Sequence, residues 1–290
     1  MNNLLSVVIV TYNSDYEILN RCLKSIPREI KIYLIDNSKN LNKEKIFDFQ
    51  LKDIIICRND NLGNGYGINK GIDFATTKYV LYLDVDTILE KKFFQKILIY
   101  AEEINDFAVI APNLKGYEYK KNNYIKNQNF DNENYSLMNF VEGAVMLLNK
   151  DILKLHNIKF DTKIFLYWEE VDFFFQSIKK KQKIYLLNNV FAYHEGGKSI
   201  NKNINSDIEL NRNWHIMWSK FYYFKKNFGY LVAYKKTIKQ FISANIRFAF
   251  YFILKNKKKN IYLERVKGLF ASYTGKPSFR RPIINARNNK

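Results

Sequence analysis

The sequence predicts an α/β protein, a doubly wound, mostly parallel sheet with helices on both faces, followed by a basic, aromatic-rich helical region. Three observations carry this expectation. Leu4–Val10 is a continuous apolar run, as expected of a strand buried on both faces. Strand-like runs then alternate with helical stretches as far as Tyr79–Leu83, the rhythm of a parallel sheet. The formal charge of +19 is unevenly spread: up to Asn211 there are 28 Lys and Arg against 27 acids, and from Arg212 to Lys290 there are 19 against Glu264 alone. A near-neutral domain over 1–206 and a cationic helical region over 207–290 are the expected parts.

Composition narrows the class. With 47% hydrophobic and 16% aromatic residues over 290 positions, the chain is globular, not disordered. Cys22 and Cys57 fit no metal or redox spacing, which suits a reducing compartment. Met-Asn-Asn-Leu-Leu-Ser lacks the basic start of a signal peptide. The longest apolar run, Phe241–Leu254, contains Arg247 and falls short of the ~20 residues that cross a bilayer. A cytoplasmic protein, soluble or peripheral, is expected.

Taken in order, Thr11-Tyr12-Asn13 follows the first strand. Glu17–Ile26 places Ile18, Leu19, Cys22, Leu23 and Ile26 on one helical side, with Ser14 or Asp15 as N-cap and Pro27 as the stop. Ile30–Ile35 and Ile54–Cys57 are the next strands, the former ending at Asp36-Asn37-Ser38. Asp60–Lys70 reads as a Gly/Asn-rich turn leading to a helix near Ile68–Thr76. Its glycines match neither the dinucleotide fingerprint nor the P-loop, and fit a tight turn near a ligand. Asn113–Ser136 has no periodicity and reads as a long loop. Asn139–Asn149 and Lys183–Phe191 are strand-like, and the pattern from Asp207 onward is helical.

The strand Tyr79–Leu83 stops at Asp84-Val85-Asp86. The carboxyl ends of strands in such a sheet face the ligand crevice, which also receives Thr11, Tyr12, Asn13 and Asp36. Two hard oxygen donors this close suit Mg²⁺ or Mn²⁺ beside a phosphate. The alternative is that Asp84 and Asp86 cap a helix over Ile88–Glu103, and that Asp36 serves only its own turn. Tyr167-Trp168-Glu169-Glu170-Val171-Asp172 places three carboxylates among aromatics, where one can act as a general base; a solvated acidic helix start is the plainer reading. His194 ends a strand beside glycines, and imidazole is an acceptable third ligand for Mn²⁺.

Val7–Asn13, Ile35–Ser38, Asn61–Gly71, Leu83–Asp86, Glu142–Met146 and Glu169–Asp172 occur in the order seen in family 2 glycosyltransferases. Over about residues 4–200 the chain resembles that family, most of all its bacterial rhamnosyltransferase-like branch. The resemblance implies a GT-A fold, a dTDP- or UDP-sugar donor, Mn²⁺ or Mg²⁺, inversion at the anomeric carbon, and a lipid-linked glycan acceptor in surface polysaccharide synthesis. It implies that Asp36 contacts the donor base, Asp84 and Asp86 hold ribose and metal, and His194 completes the metal shell. Glu142, Gly143 and Ala144 would line donor sugar and acceptor. Asn61, Asn64, Asn69, Trp168 and Glu169 join the substrate-binding candidates. The family's base is usually the Asp of Glu-Asp-x-Asp, a position held here by Glu170, so either Glu170 or Asp172 is the base.

The basic region has two functional readings. Trp214, Trp218, Phe221, Tyr222, Phe224 and Phe228 interleave with lysines, which suits a helix lying on an anionic membrane at the inner face of the plasma membrane. The competing class is a non-catalytic nucleic-acid-binding protein, but that leaves Asp84, Asp86, Glu170 and His194 without a role. A third reading packs the aromatics on the catalytic body and leaves the lysines solvated. A homo-oligomer is left open.

Overall fold

The computed structural model describes residues 3–116, 126–131, 133–196 and 205–283, with the backbone alone for 126–131 and 205–206. The chain forms two compact units. The first comprises Met1–Leu62, Tyr66–Phe160 and Phe173–Asn201, the second Gly63–Gly65, Asp161–Asp172 and Lys202–Lys290.

In chain order the elements are β1 (Leu5–Thr11), α1 (Tyr16–Lys24), β2 (Ile32–Asp36), β3 (Ile54–Arg58), α2 (Asn64–Phe74), β4 (Tyr79–Leu83), β5 (Thr87–Leu89), α3 (Phe93–Ile104), β6 (Val109–Lys115), β7 (Lys126–Asp131), β8 (Tyr135–Met138), β9 (Val145–Asn149), α4 (Lys150–Leu155), α5 (Glu169–Lys179) and β10 (Ile184–His194). Three long helices follow: α6 (Asn205–Phe228), α7 (Tyr230–Ile253) and α8 (Lys258–Tyr273).

The first unit is a sheet of order β3-β2-β1-β4-β9-β6-β10-β8-β7, with β5 paired to β10. Strands β3, β2, β1 and β4 are mutually parallel, as their apolar runs predict. Beyond β4 the sheet is mixed, since β9 runs antiparallel to both β4 and β6 while β6 and β10 are parallel. Alternate side chains of each strand enter opposite cores. On one face Val7, Ile9, Leu81 and Leu83 pack with Leu19 and Cys22 of α1 and Phe93 and Ile97 of α3. On the other Val8, Ile35, Val80 and Tyr82 pack with Ile68 of α2, Leu153 of α4 and Phe173 and Phe174 of α5. The α/β expectation with helices on both faces is therefore met.

Four local expectations are corrected. The stretch expected as a turn over Asp60–Lys70 is helical from Asn64, because Gly67 and Gly71 sit where a Cβ would lie 2.9 and 2.3 Å from Val10 and Val8 of β1. These glycines allow a helix to lie directly on a strand. The helix expected from Ile88 begins only at Phe93; Thr87–Leu89 is instead a short strand, since Ala192–His194 offers it an antiparallel partner. The loop expected over Asn113–Ser136 contains the end of β6, all of β7 and the start of β8, while 117–125 and 132 lie outside the described residues. β7 closes the sheet as a polar edge strand, which apolar periodicity does not reveal. The strand expected over Asn139–Asn149 is confined to Val145–Asn149.

In the second unit α6, α7 and α8 pack through small residues. A Cβ on Gly268 of α8 would lie 2.3 Å from the Trp214 carbonyl of α6, so only glycine allows that approach. Phe221, Met217, Ala233 and Leu269 form one buried cluster and Trp214, Trp218 and Ala271 another. The aromatics of α6, expected to face a membrane, thus largely serve as this unit's core. Among the described residues no helix is long and apolar enough to cross a membrane.

Candidate functional site

Strand β4 delivers the carboxylates. Its five residues are buried between β1 and β9, and the chain leaves it at Asp84, whose N–H donates to the Ala144 carbonyl at 2.8 Å. This bond holds the Glu142-Gly143-Ala144 segment at the strand end. Residues two apart on a strand share a face, so Tyr82 reaches Asp84 and its hydroxyl donates to Oδ1 at 2.6 Å. Thr87 closes the turn by donating both its N–H and its hydroxyl to the Asp84 carbonyl. Thr87 also opens β5, where it stands opposite His194 in the pairing with β10.

That pairing brings in the third group. His194 Nε2 lies 3.2 Å from Asp86 Oδ1 and 3.7 Å from Asp84 Oδ2. One ligand atom from each of the three residues falls within 4.8 Å of the others. Two carboxylate oxygens and one imidazole make a donor set suited to Mn²⁺ or Mg²⁺. Burial pushes the Asp84 carboxyl up to about 6 with help from Asp86, against His194 and the Tyr82 hydroxyl, which favour its charged form. Burial opposes the His194 imidazolium, but the Asp86 hydrogen bond and the charges of Asp84, Asp86 and Glu142 outweigh it and raise its pKa. The Cys22 thiol, 3.8 Å from the Asp84 carbonyl, is pushed up to about 12 by burial and then by Asp86 and Asp84, so it stays protonated.

The register of β1 on β2 pairs Thr11 with Asp36. Asp36 is fully buried: Oδ1 accepts from the Ser38 N–H at 2.9 Å and hydroxyl at 2.6 Å, and Oδ2 accepts from the Leu41 N–H at 2.9 Å. This is the turn chemistry weighed against a base contact. The Thr11 hydroxyl donates to the Ile35 carbonyl at 3.4 Å, the Tyr12 N–H to Ser14 Oγ at 3.4 Å, and Asn13, at φ 47°, accepts from Asn40 at 2.9 Å. Asn61 follows β3 and is half-buried. Asn69, expected to contact substrate, has both ends of its amide bonded to the Phe160 backbone, at 2.9 and 3.1 Å, and acts as scaffold.

The acidic aromatic segment belongs to the second unit as far as Asp172. Gly63, at φ 114°, lets the chain pass the Phe165 carbonyl, which accepts from the Asn64 N–H at 2.9 Å. Asn64 Nδ2 then donates to Glu169 Oε1 at 3.0 Å. Tyr167 and Trp168 both have positive φ, 62° and 71°. The Trp168 carbonyl accepts from the Asp172 N–H at 2.9 Å, and its ring packs on Tyr223 and Phe224. The three acids occupy the first turn of α5, where the helix dipole favours negative charge.

Glu170 and Asp172 are set apart by their partners. Asp172 is fully buried; Oδ2 accepts from Lys226 Nζ at 2.7 Å and Oδ1 from Asn227 Nδ2 at 3.1 Å. Lys226 also bonds Asp161 Oδ2 at 2.8 Å, which accepts from the Tyr222 hydroxyl at 3.0 Å. Asp172 is thus tied into an ion-pair network, whereas Glu170 is only half-buried. Sequence reasoning missed Lys226 and Asn227, which are 54 and 55 residues from Asp172 and carry no local signal. It also missed Tyr82, whose place two residues before Asp84 on a strand was the available clue.

The profile of glycosyl transferase family 2 matches residues 6–202. An uncharacterized glycosyltransferase of Methanocaldococcus jannaschii is 34% identical over 116 residues, covering 37% of this chain and 40% of the relative. One from Haemophilus influenzae is 24% identical over 193 residues, covering 58% of this chain and 60% of the relative. The matches therefore span less than two thirds of the length of these curated relatives. Among solved structures, S. aureus TarS 1-349 superposes with TM-score 0.56 at 13% identity, covering 94% of this chain and 90% of that one. GalNAc-T7 with UDP, GalNAc and Mn²⁺ gives 0.57 at 12% identity, covering 78% of this chain and 52% of that one. The structural likeness shows a shared fold, that of GT-A enzymes, and the profile match over most of the chain shows the lineage: this protein belongs to glycosyl transferase family 2.

Proposed function

We propose that this chain is an inverting glycosyltransferase that moves a sugar from a nucleotide-diphosphate sugar to a hydroxyl of a lipid-linked glycan. The observation that carries the reading is the meeting of Asp84, Asp86 and His194 at the end of β4 in a chain of this family. The donor is a dTDP- or UDP-sugar, and the transferred unit is rhamnose-like or a hexose. The sequence motifs favour the rhamnosyltransferase-like branch; TarS has been solved with UDP-GlcNAc, at 14% identity and TM-score 0.54 over 94% of this chain and 92% of that one, which keeps the UDP-hexose reading alongside it. The pathway proposed is bacterial surface polysaccharide synthesis, at the inner face of the plasma membrane.

In this proposal Asp84, Asp86 and His194 hold Mn²⁺ or Mg²⁺, which when bound offsets the charge of a diphosphate leaving group. Tyr82 and Thr87 fix the Asp84 side chain and turn. The loop shaped by Asp36 receives the nucleotide end of the donor, and Glu142-Gly143-Ala144, held by the bond from Asp84, lines the sugar. Glu170 takes the proton from the acceptor hydroxyl, which is a poor nucleophile until it does. Asp172 stays with Lys226 and Asn227 and fixes the first turn of α5. A single displacement with a single base inverts the anomeric configuration.

The test is a screen of purified protein against dTDP- and UDP-sugars with and without Mn²⁺, followed by Glu170→Gln. Donor affinity should stay near wild type while turnover falls about 10²-fold or more. If Asp172→Asn reproduces that split and Glu170→Gln does not, Asp172 is the base. If no nucleotide sugar binds in the presence of the metal, the reading fails.

A further inference from the structure

Helix α7 has two apolar faces. The inner face carries small residues, Ala233, Thr237 and Ala244, which are buried in the packing of the second unit. The outer face repeats large aliphatic side chains at helical spacing. Leu231, Ile242, Ile246 and Ile253 fall within one narrow stripe at 3.6 residues per turn, and they are 74, 52, 64 and 78% exposed. Phe250 and Phe252 stand on either side of it near the C-terminal end and Leu254 follows the helix, each more than half exposed. A helix paired on one side only should be polar on the other; this one is not.

The charge around the stripe selects what covers it. Helix α7 contains Lys235, Lys236, Lys239 and Arg247 and no acid, and Lys255, Lys257, Lys258 and Lys259 follow directly. Among the described residues Lys235, Lys236, Lys239, Lys255 and Lys257 make no ion pair. A second copy of the chain on this face would set like charges against each other. A nucleic acid would find cations, but Leu231, Ile242, Ile246 and Ile253 form the middle of the stripe, and the exposed rings Phe250 and Phe252 stand only at its C-terminal end, so most of its length offers no stacking platform. Lys235 lies within the stripe itself and Lys239 at its edge; aliphatic side chains with long cationic ones among and beside them match the boundary between lipid headgroups and acyl chains, where lysine stems extend toward anionic headgroups.

We propose that the outer face of α7 docks on an anionic membrane surface, with Leu231, Ile242, Ile246 and Ile253 entering the headgroup boundary and the flanking lysines binding lipid phosphates. The inference rests on the second unit alone and holds whether or not the donor and acceptor proposed above are right. It relocates the docking element from α6, whose aromatics are mostly buried or half-buried, to α7.

The experiment uses the full chain and vesicles of phosphatidylcholine alone or mixed with phosphatidylglycerol. Sedimentation is read at low and high salt, for wild type, Ile242→Ser/Ile246→Ser and Lys235→Ala/Lys239→Ala. All four positions are exposed or more than half exposed, so the variants should keep the wild-type circular dichroism spectrum and donor affinity. Wild type should bind the anionic vesicles and be partly released by salt. The lysine variant should partition about thirty-fold more weakly, two surface lysines being removed. The isoleucine variant should lose the salt-resistant fraction, with partitioning at least about ten-fold weaker. Hydrogen exchange should show protection along α7 on vesicle addition. Equal binding to neutral and anionic vesicles, wild-type binding by both variants, or absence of vesicle binding with a dimer that Ile242→Ser/Ile246→Ser dissociates would each overturn the proposal.

Discussion

Each unit contains a pair of aspartates joined by one basic group, and the two pairs are built to opposite ends. In the first unit Asp84 and Asp86 share the imidazole of His194. In the second, Asp161 and Asp172 share the ammonium of Lys226. An ammonium is charged at any physiological pH, and both carboxylates hold it so; their joint hydrogen bonds outweigh the effect of burial on Lys226 and raise its pKa. That pair has a permanent counter-charge built into the fold. An imidazole titrates and offers a lone pair when neutral, so the first pair with its histidine has the donor chemistry that the proposed metal needs. The difference separates a candidate site from a strut where the bare count of acids does not.

The comparison is tested most severely at Asp86. Asp86→Ala removes one of three converging donors, and calorimetric titration of donor with Mn²⁺ should show metal-dependent binding weakened by more than the roughly 10–100-fold that loss of an outer-shell partner costs, with the unfolding midpoint nearly kept. Undiminished metal-dependent binding would place Asp84 and Asp86 with the struts. Lys226→Met should behave in the opposite way. It leaves Asp172 buried without its cation, costing about 3–5 kcal/mol in urea unfolding, and Lys226→Met/Asp172→Asn should recover part of the loss. A wild-type midpoint for Lys226→Met would refute the strut.

Smaller effects sharpen the contrast. Tyr82→Phe removes the hydroxyl bonded to Asp84 and should weaken Mn²⁺ binding about ten-fold, a typical cost for a group that orients a ligand. The histidines extend the contrast to proton binding. His194 stands among acids, while His215 is buried beside Arg280 and Arg281, with Ser278 on Nδ1 and the Arg280 carbonyl on Nε2. Burial, then the two arginines, holds the His215 imidazole down at about 3. The unfolded chain binds this proton near pH 6.5 and the folded chain does not, so stability is lost as pH falls below the ordinary histidine range. Going from neutrality to about pH 5.5 should cost about 1 kcal/mol more in wild type than in His215→Gln, by urea unfolding at each pH.

Much of this was legible along the chain because it is local. The parallel block β1–β4 follows from uninterrupted apolar runs, and the carboxylates from where the last of those runs stops. Strand β5 was not legible: three residues carry no periodicity, and Thr87–Leu89 becomes a strand only because β10 lies alongside. The glycines after Asn61 were read as a turn since their real constraint, contact with Val8 and Val10, lies in another element. The tie between Asp172 and Lys226 was hidden for the same reason, as the two lie in different elements. Helices α6 and α7 both interleave apolar side chains with lysines, and only packing tells a core from a surface.

Tyr167 and Trp168, both with left-handed backbones just before α5, carry a consequence about identity. At two successive positions the residue of lowest backbone energy is glycine, and the chain instead bears two of its bulkiest side chains. Tyr167→Gly and Trp168→Gly would each relieve the backbone while removing the ring. Backbone ease and side-chain packing therefore pull in opposite directions there: the Trp168 ring packs on Tyr223 and Phe224, and in this chain the side chains prevail. These positions are poor ones for stabilising the protein with glycine, since the substitutions that relax the backbone remove the rings that precede Glu169 and Glu170.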